Sequence, residues 1–311
     1  MSPVLGLHHV TAISGPAQQT VDVFAGHLGL RLVKQTVNFD DPGTYHLYFA
    51  DGAAAPGSVM TFFPWAHAVQ GRIGAGQATA TAYAVPRGAV GLWRDALAAS
   101  DVDAGELAER FGDAVLTLRA PDGLVVELVE QDDVPGQWAE GAVPLDRALG
   151  AFAGVTLCSL HPDATARVLT EALGYREAGE ADDRVRFVNE NAPRAGTVDL
   201  YCSPFEQAGR MGTGTVHHVA FRVPDDEAER DVRERLRELG LQPTSVIDRQ
   251  YFHSVYAREP GGILFEIATD HPGFDVDEPA DALGRALMLP RQYEPQREAI
   301  RARLPELRLP Y

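Results

Sequence analysis

Two His-His-Val tripeptides, His8-His9-Val10 and His217-His218-Val219, stand far apart in the chain, and Glu266 sits in the otherwise apolar run GGILFEIA. These residue types can do metal chemistry. Two neutral imidazoles and one carboxylate on one side of a divalent cation leave other coordination positions open, the arrangement used by non-haem iron(II) oxygenases. A carboxylate in so apolar a strand needs a charged partner, and a metal is one. A lone His-His doublet is most often a surface or satisfied core pair. Two doublets at matching repeat positions, with a third donor, carry more weight. Strand alternation lets one of two neighbours face a given side, so His218, Ala220 and Arg222 share one face and His217, Val219 and Phe221 the other. The pattern alone leaves open which face is inward.

The elements that must position these residues form an internal repeat. Four segments open on a β-rich stretch: LHHVTAISG from Leu7, ATAYAVPRG around Ala80, FAGVTLCSL from Phe152 and VHHVAFRVPDD from Val216. Each runs into an amphipathic pattern with apolar residues three and four apart, and Gly29, Gly174 and Gly240 fit helix stops. Each then closes in strands, the last announced by a glycine: GSVMTFFPW, DGLVVELVE, GTVDLYCSP and GGILFEIATD. The layout predicts an α+β protein of four βαβββ modules. Two domains of two consecutive modules are expected, at 1–135 and 149–272, joined by a turn-rich linker at 136–148. A tail at 273–311, helical near Gln296 to Leu304, is expected to pack against the domains or cover a pocket.

Overlaying the modules tests the metal idea, because ligand positions should be filled in some copies and empty in others. The second histidines, His9 and His218, fall opposite Ala80 and Gly154 in the other two modules. Counted from the shared glycine, the last strands offer Thr61, Glu127, Leu200 and Glu266. Modules one and four together therefore supply His9, His218 and Glu266, with Thr61 at the fourth corner. Glu127, with no histidine in its own module, is expected to face solvent or an interdomain salt bridge.

The 311 residues are 45% hydrophobic, enough for sizeable cores. A formal charge of -17 makes the average surface repel nucleic acid and anionic lipid, so a small-molecule substrate is the better expectation. No apolar run is long enough to span a membrane and the opening residues do not read as a signal peptide, which points to the cytoplasm. The sequence leaves a homo-oligomer open. Cys158 and Cys202 read as small buried hydrophobes.

This layout, the two His-His-Val strands and the final Phe-Glu resemble the vicinal oxygen chelate superfamily over residues 5–272. The resemblance implies open, cupped β-barrels with helices outside, a divalent metal in the cup, and a ligand immediately before each valine, hence His9 and His218 beside Glu266. Within that superfamily, LHHVT, YHLYFAD, PGSVMTFFPW, HHVAF and DRQYFHSVYAREPGGILFE resemble the ring-cleaving dioxygenases that act on hydroquinones, chlorinated ones included. That likeness implies iron(II), with manganese(II) as the alternative, and an aromatic substrate cleaved with O2. It gives His8, Thr11, His217, Arg249 and Tyr256 hydrogen-bonding or substrate-contacting roles, with His217 favoured as proton shuttle. His253 stands where an acidic residue is expected, and the tail around Met288 and Tyr293 is where substrate selection should vary. The rival readings are a catechol extradiol dioxygenase, a glyoxalase-type isomerase, which would want a fourth protein ligand, and a binding protein of the same fold that sequesters a drug.

Overall fold

The computed structural model describes residues 2–201 and 207–311. Cys202 lies outside them; Cys158 is buried. All four modules form as the repeat predicts. Module one holds β1 (Leu7–Ser14), α1 (Ala17–Val21, running on as a π-helix over Asp22–His27), β2 (Arg31–Val37), β3 (Tyr45–Ala50) and β4 (Val59–Pro64). Module two holds β5 (Gln77–Pro86), α2 (Ala89–Leu97), β6 (Asp103–Arg110), β7 (Asp113–Arg119) and β8 (Val125–Gln131). Module three holds β9 (Phe152–Cys158), α3 (Pro162–Arg167, then π over Val168–Ala172), β10 (Arg176–Ala181), β11 (Arg184–Val188) and β12 (Thr197–Tyr201). Module four holds β13 (Thr215–Val223), α4 (Asp226–Glu238), β14 (Ile247–Asp248), β15 (Phe252–Arg258) and β16 (Leu264–Pro272).

Local chemistry sets these boundaries. Asp225 caps α4, its carboxylate accepting from the Glu227 and Ala228 amides, while acidic residues fill the first turn and Arg235 and Arg237 the last. Gly29, Gly174 and Gly240 follow their helices at φ of 70°, 74° and 83°, a left-handed step that glycine makes without a Cβ clash. Phe24, Trp93, Leu169 and Leu236 bury the helices' apolar faces in one continuous core.

The sheets do not follow the sequence halves. Two curled eight-stranded sheets form, ordered β14-β15-β16-β13-β1-β4-β3-β2 and β10-β11-β12-β9-β5-β8-β7-β6. Module one thus pairs with module four, and module two with module three, whereas consecutive modules were expected to pair. The cause lies in the connections. Residues after β4 and before β13 run side by side, bridged at Gln70 to Thr213, Arg72 to Arg210 and Ala75 to Ala208. Both segments cross between the sheets together, so β1 meets β13 in one and β5 meets β9 in the other.

The tail docks on module one. Lys34, fully buried, meets Asp277 at 2.7 Å and also pairs with Glu278, and the Tyr293 hydroxyl donates to the Phe39 carbonyl at 2.6 Å. A single helical turn, Arg297–Arg301, forms in the expected stretch, after the 3-10 segment Arg291–Gln296. Among the described residues no helix is long and apolar enough to cross a membrane.

Candidate metal centre

β1 and β13 lie antiparallel at the middle of their sheet, and each is flanked on its far side by the parallel last strand of its own module. This places His9, His218 and Glu266 together, with one donor atom from each within 4.8 Å of the others. His9 Nε2 is 3.2 Å from His218 Nε2, and Glu266 Oε2 is 2.8 Å from His218 Nε2 and 3.3 Å from His9 Nε2. All three side chains are buried.

The first histidine of each doublet occupies a β-bulge. Along β1 the register steps from Leu7 opposite Phe221 to His9 opposite Ala220, which leaves His8 extra; along β13 it steps from His218 to Val216, which leaves His217 extra. A bulge breaks strict alternation. The neighbouring rings can then meet, with His8 Nδ1 2.9 Å from His9 Nδ1 and His217 Nδ1 2.8 Å from His218 Nδ1. Strict alternation would have set His217 on the opposite face from His218, yet both line the same cavity.

The donor set fits a divalent cation. Both Glu266 oxygens are buried without an aligned hydrogen-bond donor, although two imidazole nitrogens crowd one of them. A buried carboxylate left that way is costly unless a cation sits on it. Burial alone would raise the Glu266 carboxyl, but His9 and His218 outweigh it and hold it well below the usual range. Burial lowers His218, and a neutral imidazole is the form that ligates. Ligation through Nε2 leaves each ligand's hydrogen on Nδ1, to be donated to the doublet partner. That role needs His8 and His217 neutral. Burial, helped by the adjacent ligand ring, lowers His8 well below its ordinary value and His217 to about 4.

At the fourth corner Thr61 offers a hydroxyl. It lies 2.8 Å from Thr11 Oγ1 and 2.9 Å from His46 Nε2, and His46 Nδ1 in turn lies 2.9 Å from the Tyr48 hydroxyl. His46 and Tyr48 were missed in the sequence. A usable signal existed, since they alternate on one face of the apolar strand YHLYFA and Tyr48 sits opposite Thr61 in the β3–β4 ladder.

A cavity of about 400 Å³ opens over the cluster. Phe63, Trp65 and His217 form one wall, with Phe63 and Trp65 ring centres 5.6 Å apart and Phe63 and His217 5.7 Å apart. Arg249 forms part of the lining opposite, its guanidinium 5.6 Å from the Phe39 ring centre and 5.3 Å from that of Tyr256. Arg249 Nε donates to the Tyr256 hydroxyl at 3.2 Å, and burial together with Glu266 raises the Tyr256 pKa, so the phenol keeps its own hydrogen to offer.

Other expected residues fall elsewhere. His8 is buried behind His9 and faces a separate, smaller cavity. Thr11 is wholly buried. His253 points away from the centre and pairs with Asp226 at 2.7 Å. Neither Met288 nor Tyr293 lines the cavity, although Tyr293 donates to the carbonyl of Phe39, which does.

The second sheet repeats the geometry without the chemistry. Its register sets Ala82 beside Glu127 as Ala220 sits beside Glu266, so Ala80 matches His218. Thr156 sits beside Asp199 as Thr11 sits beside Thr61, so module three presents Asp199 at the fourth corner, where Leu200 was expected. Leu200 is core. Glu127 is neither solvent-facing nor bridging domains. It is buried in a bidentate pair with Arg110 of its own module, at 2.7 and 2.9 Å, and Arg186 pairs likewise with Asp199 at 2.7 and 2.8 Å. Guanidinium groups balance these carboxylates.

Comparison with known proteins agrees with this architecture. The family model for the Glyoxalase/Bleomycin resistance protein/Dioxygenase superfamily matches residues 152–267. "Putative ring-cleaving dioxygenase MhqO" of Bacillus subtilis (strain 168) is 48% identical over 95% of this chain and 94% of its own length. The chlorohydroquinone/hydroquinone 1,2-dioxygenase of Sphingobium indicum is 35% identical over 94% of this chain and 93% of its own. A crystal structure of a Bacillus subtilis protein provisionally described as a dioxygenase superposes at a TM-score of 0.95, with 45% identity and 99% of each chain covered. The chain belongs to the glyoxalase/bleomycin resistance protein/dioxygenase superfamily. Glyoxalase I from Zea mays, 14% identical at a TM-score of 0.62 over 85% of this chain and 92% of its own, shares the fold.

Proposed function

We propose that this protein is an iron(II)-dependent ring-cleaving dioxygenase that inserts O2 into hydroquinone-type rings. The observation that carries the reading is the donor set: two imidazoles and one carboxylate converge from the neighbouring strands β1, β13 and β16 while the fourth corner holds the Thr61 hydroxyl. A glyoxalase-type isomerase would want a fourth protein ligand there. The Sphingobium relative's name supports a para-diol substrate, and an aromatic wall beside the cluster suits a ring.

His9, His218 and Glu266 would hold the ion. Bound iron(II) supplies a Lewis acid that acidifies a phenol hydroxyl and a redox-active centre for O2. Everything else falls to the side chains. His8 accepts at Nδ1 from His9 and fixes the orientation of that ring. His217 accepts at Nδ1 from His218, which leaves its hydrogen on Nε2, and His217 lines the cavity. Its Nε2–H can therefore donate a hydrogen bond to a developing oxyanion in the cavity. Arg249 and the Tyr256 hydroxyl are donors placed to stabilise negative charge on the substrate oxygen, an effect worth about 3 kcal/mol where water is excluded. Phe63 and Trp65 offer the ring a stacking face.

Oxygen-electrode measurements on anaerobically iron-loaded protein test the reading. Rapid uptake is expected with hydroquinones, with loss of their ultraviolet absorbance. Uptake with catechols alone would replace the substrate class, and uptake with neither would end the oxygenase reading.

A further inference from the structure

Four polar side chains stand in single file between the ligand strands and the cavity. Thr11 contacts Thr61, Thr61 contacts His46 Nε2, and His46 Nδ1 contacts the Tyr48 hydroxyl, at 2.8, 2.9 and 2.9 Å. Thr11 and Thr61 have no solvent exposure and Tyr48 has 1%, while the His46 ring is half-buried at the cavity edge. Tyr48 and His46 line the cavity.

Counting hydrogens constrains the file. Two threonine hydroxyls, one phenol and one neutral imidazole carry one exchangeable hydrogen each, against three contacts. With all contacts made, one hydrogen is left over. It lies on Tyr48 only when Thr11 donates to Thr61, Thr61 donates to His46 Nε2 and His46 Nδ1–H donates to Tyr48, which leaves the Tyr48 hydrogen free for the cavity that Arg249 and Tyr256 also line. With the other His46 tautomer Tyr48 spends its hydrogen on Nδ1, and the spare one lies on Thr11 or Thr61. Switching between the two needs only hydroxyl rotation and the change of His46 tautomer. No group gains or loses charge. Burial, with His9 and His218 nearby, lowers the His46 pKa well below its ordinary value, which agrees with a neutral ring.

We propose that Tyr48 donates a hydrogen bond to an oxygen of the bound ring, and that His46, Thr61 and Thr11 are positioning residues that decide whether the Tyr48 hydrogen is free for it. The proposal rests on the hydroquinone reading of the cavity. A bound anionic oxygen selects the direction Thr11 to Thr61 to His46 to Tyr48, and Tyr48 then joins Tyr256 and Arg249 as a third donor.

Calorimetric titration of anaerobic, iron(II)-loaded protein with hydroquinone tests this without turnover, with metal content checked in every variant. Tyr48→Phe is expected to weaken binding about tenfold. Thr61→Val should weaken it less and Thr61→Ser should restore it. In the Thr61→Val background, Tyr48→Phe should cost only about threefold, because the file is already cut. Full wild-type affinity in Tyr48→Phe would overturn the donor role, and an equal tenfold loss in both backgrounds would overturn the file. If the wild-type protein binds no hydroquinone, the substrate reading fails and takes this proposal with it. Binding that ignores Tyr48 overturns this proposal alone.

Discussion

His9 and His218, 209 positions apart in sequence, bring their Nε2 atoms to 3.2 Å, with a carboxylate oxygen of Glu266 beside both. A shared cation would account for three such groups packed together with both carboxylate oxygens short of aligned donors. His9→Ala, His218→Ala and Glu266→Ala are each expected to reduce bound metal from stoichiometric to near zero. Glu127→Gln should leave it unchanged, because Glu127 answers to Arg110. Elemental analysis of protein shown to be folded by circular dichroism decides the matter. Retained stoichiometric metal in the three alanine variants would remove the foundation of the proposed chemistry.

A second buried carboxylate predicts a pH effect. Glu229 on α4 has no solvent exposure and neither of its oxygens finds a hydrogen-bond partner. Burial lifts its pKa from 4.5 to about 7. The folded pKa lies above the unfolded one, so the folded state keeps a proton the unfolded state has lost, and stability falls as pH rises from 4.5 to about 7. Glu229→Gln removes the charge and keeps the shape. Its melting temperature should match wild type near pH 4 and exceed it at pH 8, for a gain on the order of 2 kcal/mol. Parallel pH curves for the two proteins would contradict the assignment.

Lys34 ties the tail to β2 through Asp277 and Glu278, and its ammonium also lies 4.9 Å from the centre of the Tyr251 ring. Lys34→Ala leaves the buried Glu278 without its cation and Asp277 with only the Gln250 and Tyr251 donors, and should cost about 3 kcal/mol in chemical denaturation. The tail should then become the first segment cut by dilute protease. Asp277→Asn, which leaves the more buried Glu278 paired, is expected to cost less than half as much. Equal losses would mean that the two acids do not act separately on Lys34.

The elements were legible where local chemistry sets them. Gly29, Gly174 and Gly240 end helices because a left-handed step falls there, and the apolar spacing of GILFEIA marks a strand whatever it packs against. The site was legible in part, since doublets recurring in equivalent strands carry information that one doublet does not. What stayed hidden depends on contacts across the chain. Strand pairing between modules one and four is written in no local pattern. Counting from Gly196 to Leu200 assumes equal loop lengths, and a one-residue slip exchanges the two faces, which is why Asp199 turns inward and Leu200 joins the core. Bulges at His8 and His217 leave no mark in composition, so alternation misplaced His217. His46 went unnoticed because its partner, Thr61, belongs to another strand.

The pairing of the first module with the last has a bearing on biosynthesis. A ribosome delivers His9 209 residues before His218, and Glu266 follows later still. A polypeptide stalled in the linker owns one donor of the three. The proposed metal seat is therefore assembled only once module four has been made, and a polypeptide that stops short of it lacks two of the three donors.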